Sequence, residues 1–191
     1  MVLHARAAAM IEAAEVLRKA ETLFYERGVQ QVGMDQVRAA AGVSLKRLYQ
    51  LFPSKDQLVL DYLTARDERW LASVRTYALS DGNVLAVFDW LADWFSEPDF
   101  RGCAFVNTFG ELGGTSPAVA DIARRHKEAF RQLIRDLAGD DELGDQITLL
   151  AEGAITMATI GGSAEPARQA KQAAEKLLSL LDRSHQNGRL Q

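Results

Sequence analysis

Apolar residues recur along this chain at spacings of three and four, which places them on one face of a helix. No stretch of useful length alternates with period two, so the pattern predicts helices and no strands. The first helix runs roughly from Ala7 to Arg27. Val16, Leu17, Ala20 and Phe24 form its apolar stripe, and Gly28 is its natural stop. Two short helices follow, near 35–41 and 45–51, with Gly42 between them and Ser44 as the cap of the second. Pro53 breaks the chain. Ser54 opens a long helix reaching about Leu79, in a capping box where Gln57 is expected to reach back. Further helices are predicted at about 84–95, from Cys103 to just before Gly113, from Ser116-Pro117 through Leu137, at 143–160 and at 166–183. The expected fold class is all-α, with about nine helices.

Helix, glycine turn, helix in AAAGVSLKRLY is the layout of a helix-turn-helix. Each part has a physical task. Val37 and Ala41 pack the first short helix inward, Gly42 gives the turn its backbone freedom, and Val43 plugs the small core behind it. Ser44 caps the second helix and aims its N-terminus outward, where phosphate is favoured. Leu48 and Phe52 hold that helix down. Leu45, Lys46, Arg47, Tyr49 and Gln50 are left to face a major groove.

Charge sharpens this picture. The 191-residue chain has net charge −4, which taken whole argues against binding nucleic acid. The charge is uneven, however. Residues 1–56 hold eight basic and six acidic side chains, and the remainder holds fourteen and twenty. A mildly basic head precedes an acidic body, and only the head needs to meet DNA. A 48% hydrophobic content excludes general disorder, and the single cysteine excludes a disulfide scaffold. The longest uncharged run, 153–164, is shorter than the about 20 residues of a membrane span. Without a signal sequence or membrane segment, and with one thiol, the chain is expected in the cytoplasm, with no membrane partner.

The stretch from Ala14 to Leu58 also resembles the DNA-binding domain of the TetR family of transcriptional regulators. The matching elements are a helix ending FYERG, a spacer, AGVS, then LY, F and SKDQL at set distances. The resemblance implies a helix-turn-helix domain over 1–54 and a helical effector-binding and dimerisation domain over 55–191. It implies a homodimer that binds a palindromic DNA operator, acts as a repressor and releases DNA on binding a small effector. Leu45, Lys46, Arg47 and Gln50 would face the groove, and Tyr49 and Lys55 would contact phosphate. Some features depart from the family pattern. Gly33 stands where a threonine is usual, so one phosphate contact loses its hydroxyl. Arg38 stands in the second helix as an extra phosphate contact or a solvated side chain. Leu51 replaces a more polar or aromatic residue.

The remaining candidates lie in the body. Trp90, Trp94, Phe105, Phe109 and Phe130 would line a cavity for an apolar or aromatic effector, or else pack as core. Tyr62, Arg66, Asn107, Thr108, Glu111 and His126 would be its polar anchors. Cys103 opens a helix, where the dipole lowers a thiol pKa. It reads either as a small buried hydrophobe or, as in some members of the resembled family, as an electrophile sensor. Ala151, Ala154, Ala158 and Gly161, with Ala170, Ala174, Leu177 and Leu181, would form a close-packed dimer interface of the last two helices. No GxSxG, phosphate loop or metal-spaced cluster is present, so no enzyme reading, cofactor or metal is expected. The alternative to a regulator is a helical, dimeric protein-binding adaptor that keeps the helix-turn-helix as scaffold.

Overall fold

The computed structural model describes the backbone of residues 2–188 and the side chains of residues 10–180. Among these there are nine α-helices and no strand. They are α1 (Val2–Arg27), α2 (Met34–Ala41), α3 (Leu45–Leu51), α4 (Lys55–Asp81), α5 (Ala86–Phe95), α6 (Ala104–Leu112), α7 (Pro117–Ala138), α8 (Asp141–Gly161) and α9 (Glu165–Gly188).

Local chemistry explains the boundaries. At Gly42 the backbone turns left-handed, φ 69°, a conformation that costs glycine nothing and most residues something. Ser44 Oγ accepts from the Arg47 amide at 3.1 Å and starts α3. Ser54 Oγ accepts from the Gln57 amide at 3.0 Å and starts α4. The expected capping box at Ser54 is only half made, because the Gln57 amide group donates forward to Asp61 Oδ1 at 2.8 Å. A reaching-back glutamine occurs instead at α2, where Gln36 Oε1 accepts from the Gly33 amide at 2.8 Å.

The chain divides into two compact units. The first comprises residues 1–68 and 104–124, and the second residues 69–103 and 125–191. This partition falls inside α4 rather than at its start, and it groups α6 with α1–α3. Leu58, Val59, Tyr62 and Leu63 of α4 are all buried, which explains why the first stretch of that helix belongs with the unit that precedes it.

The core of the first unit gathers Val16, Ala20 and Phe24 of α1, Val37 of α2, Leu48 and Phe52 around α3, and the four buried α4 residues. Phe24 and Tyr62 meet ring to ring at 5.7 Å. Arg66 lies 4.0 Å over the Tyr25 ring and pairs with Glu21 at 2.9 Å. In the second unit α5 packs on α8 and α9, and α8 packs along α9. Ala151, Ala154 and Ala158 of α8 and Ala167, Ala170 and Ala174 of α9 are buried there. Small side chains let two helices approach closely, and here they do so within one chain. Lys171 of α9 holds Asp89 of α5 at 2.7 Å, and Arg131 and Arg135 of α7 both grip Asp145 of α8.

Candidate nucleic-acid interface and aromatic core

The candidate interface is built on α3. Leu48 is fully buried and Phe52 4% exposed, so one face of this short helix is anchored. Leu45, Lys46, Tyr49 and Gln50 stand exposed on the other. Arg47 is half-buried and held. Its Nε and Nη2 donate to Glu12 Oε2 at 3.1 and 2.7 Å, and its Nη1 donates to Gln50 Oε1 at 3.3 Å. The hydrogen bond from Arg47 holds the Glu12 carboxyl below its ordinary pKa against the opposing effect of burial. Gly33 is exposed at the start of α2, Ser44 is exposed at the start of α3, and Lys55 is half-buried. Arg38 Nε donates to Asp35 Oδ1 on its own helix at 2.8 Å. The helix-turn-helix core is therefore as the sequence suggests, whereas two of its cations carry acidic partners that spacing alone did not reveal.

The aromatic candidates divide between the two units. In the second, Trp70 sits at the centre of a box. Its ring lies 5.1 Å from Trp90, 5.6 Å from Trp94, 5.1 Å from His126 and 5.0 Å from Phe130, each contact edge-on. Edge-on contact suits the charge distribution of aromatic rings. Trp90 Nε1 donates to Ser73 Oγ at 3.0 Å. Trp70 Nε1 is buried without a hydrogen-bond partner. Cys103 is 6% exposed, with Lys127 Nζ 3.4 Å from its sulfur. The same ammonium reaches both oxygens of Glu152 at 2.7 Å. Burial works against the Lys127 charge, but Cys103 and Glu152 outweigh it and raise its pKa.

Several expected effector anchors have other work. Tyr62, 1% exposed, is a core residue of the first unit, and Arg66 is committed to Glu21 and Tyr25. Glu111 Oε1 and Oε2 accept from the backbone amides of Val29 and Gln30 at 3.1 and 2.6 Å. In return Gln30 Nε2 donates to the Glu111 carbonyl at 2.7 Å. A carboxylate on two amides at the end of α1 is a structural clamp, not a free anchor. Phe105 and Thr108 are buried in the first unit, whereas Asn107 and Phe109 of the same helix are exposed.

The dimer candidates lie partly inside the chain itself. Ala151, Ala154, Ala158, Ala170 and Ala174 are buried within the single chain, on helices that pack on one another and on α5. Leu177 is half-buried and Gly161 exposed, and the Leu181 side chain lies outside the described residues. Among the described residues, the large apolar side chains these two helices leave exposed are Leu149, Met157, Ile160 and Leu180.

Residues 16–62 match the family model for bacterial regulatory proteins of the tetR family. That stretch is a DNA-binding domain of the TetR-family type. A TetR-family transcriptional regulator from Streptomyces coelicolor is similar over nearly the whole length, with 28% identity and a TM-score of 0.80. The match covers 88% of this chain and 95% of that one. A TetR transcriptional regulator from Chloroflexus aurantiacus shares the fold at 22% identity and TM-score 0.78, covering 91% of this chain and 96% of its own. Reduced NemR of E. coli does so at 18% identity and TM-score 0.78, covering 86% and 96%. A comparison with curated proteins gives no match. No helix among the described residues is long and apolar enough to cross a membrane. No group of His, Cys, Asp and Glu among them is placed to hold a metal ion.

Proposed function

We propose that this chain is a TetR-family regulator, a dimeric repressor that reads a palindromic operator with α3 and leaves it on binding a small apolar or aromatic effector. The observation that carries the reading is the geometry of α3. Leu48 and Phe52 pin a seven-residue helix capped by Ser44, and Leu45, Lys46, Tyr49 and Gln50 stand clear of the core. Residues 1–54, with Lys55 at the start of α4, serve DNA contact, and the rest of residues 55–191 serves effector binding and self-association. Lys46 and Arg47 supply base and phosphate contacts, Leu45 and Gln50 face the groove, and Tyr49 and Lys55 reach the backbone. Gly33, with no side chain to offer, contributes only its backbone. Arg38 acts on phosphate if Asp35 yields it.

The Trp70–Trp90–Trp94–Phe130 box with His126 is the effector-sensing core of the second unit, and a ligand acts there through its different affinity for two arrangements of the helices. Leu149, Met157 and Ile160 of α8 and Leu180 of α9 form the apolar face that meets a second copy. The test is anisotropy binding to duplexes spanning the DNA beside the protein's own gene, with excess competitor DNA. A Lys46→Ala/Arg47→Ala double variant runs in parallel. The expected result is tight binding that the double variant loses, with a steep decline of affinity in salt. Failure to enrich any site from randomised duplex DNA overturns the reading.

A further inference from the structure

Arg47 is the side chain on α3 best suited to read a guanine, because its planar fork matches O6 and N7 together. A free arginine on a surface helix must be ordered before it can do so, and ordering costs entropy. This arginine is already ordered. A guanidinium has five N–H donors. Arg47 spends one from Nε and one from Nη2 on Glu12 Oε2, and one from Nη1 on Gln50 Oε1. One N–H remains on each terminal nitrogen. The Glu12 contact occupies the side of the guanidinium that carries Nε, so the donor left on Nη2 points towards the far end of the group. Beside it stands Nη1, with one donor still unspent.

We propose that Glu12 is a positioning residue for sequence reading: by holding the Nε/Nη2 edge of the Arg47 guanidinium it aims the remaining N–H groups at a paired acceptor on a base edge, the O6 and N7 of a guanine. The contact joins α1 to α3 across thirty-five positions of sequence. It therefore also ties the reading side chain to a second helix of the same unit rather than to α3 alone. The inference rests on the reading of α3 as the groove-facing helix.

The carboxylate has a second, opposite effect. Glu12 is about one-third exposed, and a negative charge beside a groove-facing helix repels phosphate. A positioning role and a merely repulsive one thus predict different results when the charge is removed. If Glu12 positions Arg47, Glu12→Gln and Glu12→Ala lower affinity for a guanine-containing site selected from randomised duplexes. They leave affinity for a mixed-sequence competitor duplex unchanged or raised. The ratio of the two affinities then falls by about two- to fivefold per reading head, the range expected for a partly exposed ion pair. Glu12→Asp, which keeps the charge on a shorter arm, recovers part of the ratio.

Fluorescence anisotropy on both duplexes at several salt concentrations measures this, with circular dichroism verifying that each variant is folded. Arg47→Ala is measured alongside, on the selected site and on the same site with its guanines replaced singly. If one guanine loses its discrimination in both Arg47→Ala and Glu12→Gln, the proposal stands. If Glu12→Gln raises affinity for both duplexes equally and the ratio holds, Glu12 is only a repulsive charge and the proposal falls. If Arg47→Ala leaves discrimination at every guanine intact, the reading of Arg47 itself fails, separately from Glu12.

Discussion

Removing the carboxylate of Glu111 should loosen the end of α1, and the size of the effect follows from the hydrogen bonds it accepts. Val29 is 2% exposed, and its amide donates to Glu111 Oε1. Gln30 is exposed, and its amide donates to Oε2. In Glu111→Ala the Gln30 amide turns to water at little cost. The Val29 amide has far less access to water, and an unsatisfied buried donor costs about 1–3 kcal/mol. The loss should therefore be about 2 kcal/mol, carried mostly by one amide. Glu111→Gln keeps a carbonyl oxygen for the buried Val29 amide and should lose much less, under about 1 kcal/mol. Hydrogen exchange read at single amides is the direct assay. Val29 should lose about thirtyfold in protection in the alanine variant, the equivalent of 2 kcal/mol, and distant α8 amides should hold theirs. Unchanged exchange at Val29 would refute the clamp, because it would show that the amide is satisfied without the carboxylate.

Phe130 is fully buried against Trp70, so Phe130→Ala should cost about 3–5 kcal/mol by urea unfolding. All three tryptophans stand in the same box, so their fluorescence follows this transition directly, and a loss below about 1 kcal/mol would argue against a packed box. Asp145 accepts from Arg131 and Arg135, and those hydrogen bonds depress its pKa far below the ordinary 3.8. A depressed carboxylate stabilises the fold fully above its unfolded value and loses that contribution as pH falls towards the native one. The melting temperature of the protein should therefore exceed that of Asp145→Asn at neutral pH. The gap should narrow steadily on acidification below about pH 4. A gap that does not change with pH would show that the pair is not linked to folding.

The helices were legible in the sequence because their signals are local. Apolar spacing, Ser44, Gly42 and Ser116-Pro117 act within a turn or two, and the observed boundaries follow them closely. The contacts that give the side chains their tasks are not local. Glu12 meets Arg47 and Glu111 meets Val29, pairings that only the packed chain defines. Trp70 was legible as one apolar residue of α4, but not as the centre of four rings from two other helices. The alanines of α8 and α9 carried a true message, close helix approach, without saying whether the neighbour is the same chain. Leu149, Met157 and Ile160 interrupt the polar face of α8, and that was the signal for an outward apolar surface. At Ser54 the forward partner Asp61 outcompeted the capping role of Gln57, a choice between two hydrogen bonds that the spacing alone leaves equal.

The interleaving of the two units has a consequence for modular engineering. The first unit is assembled from two separate stretches of chain, and α6 arrives in it only after the polypeptide has contributed residues 69–103 to the second. The first unit, transplanted by one cut within α4, would leave behind the α6 carboxylate that holds its α1–α2 turn. Such a chimera should be made with the recipient's own α6 altered to present an acid at the matching place. The first unit is portable as a pair of segments, not as a prefix.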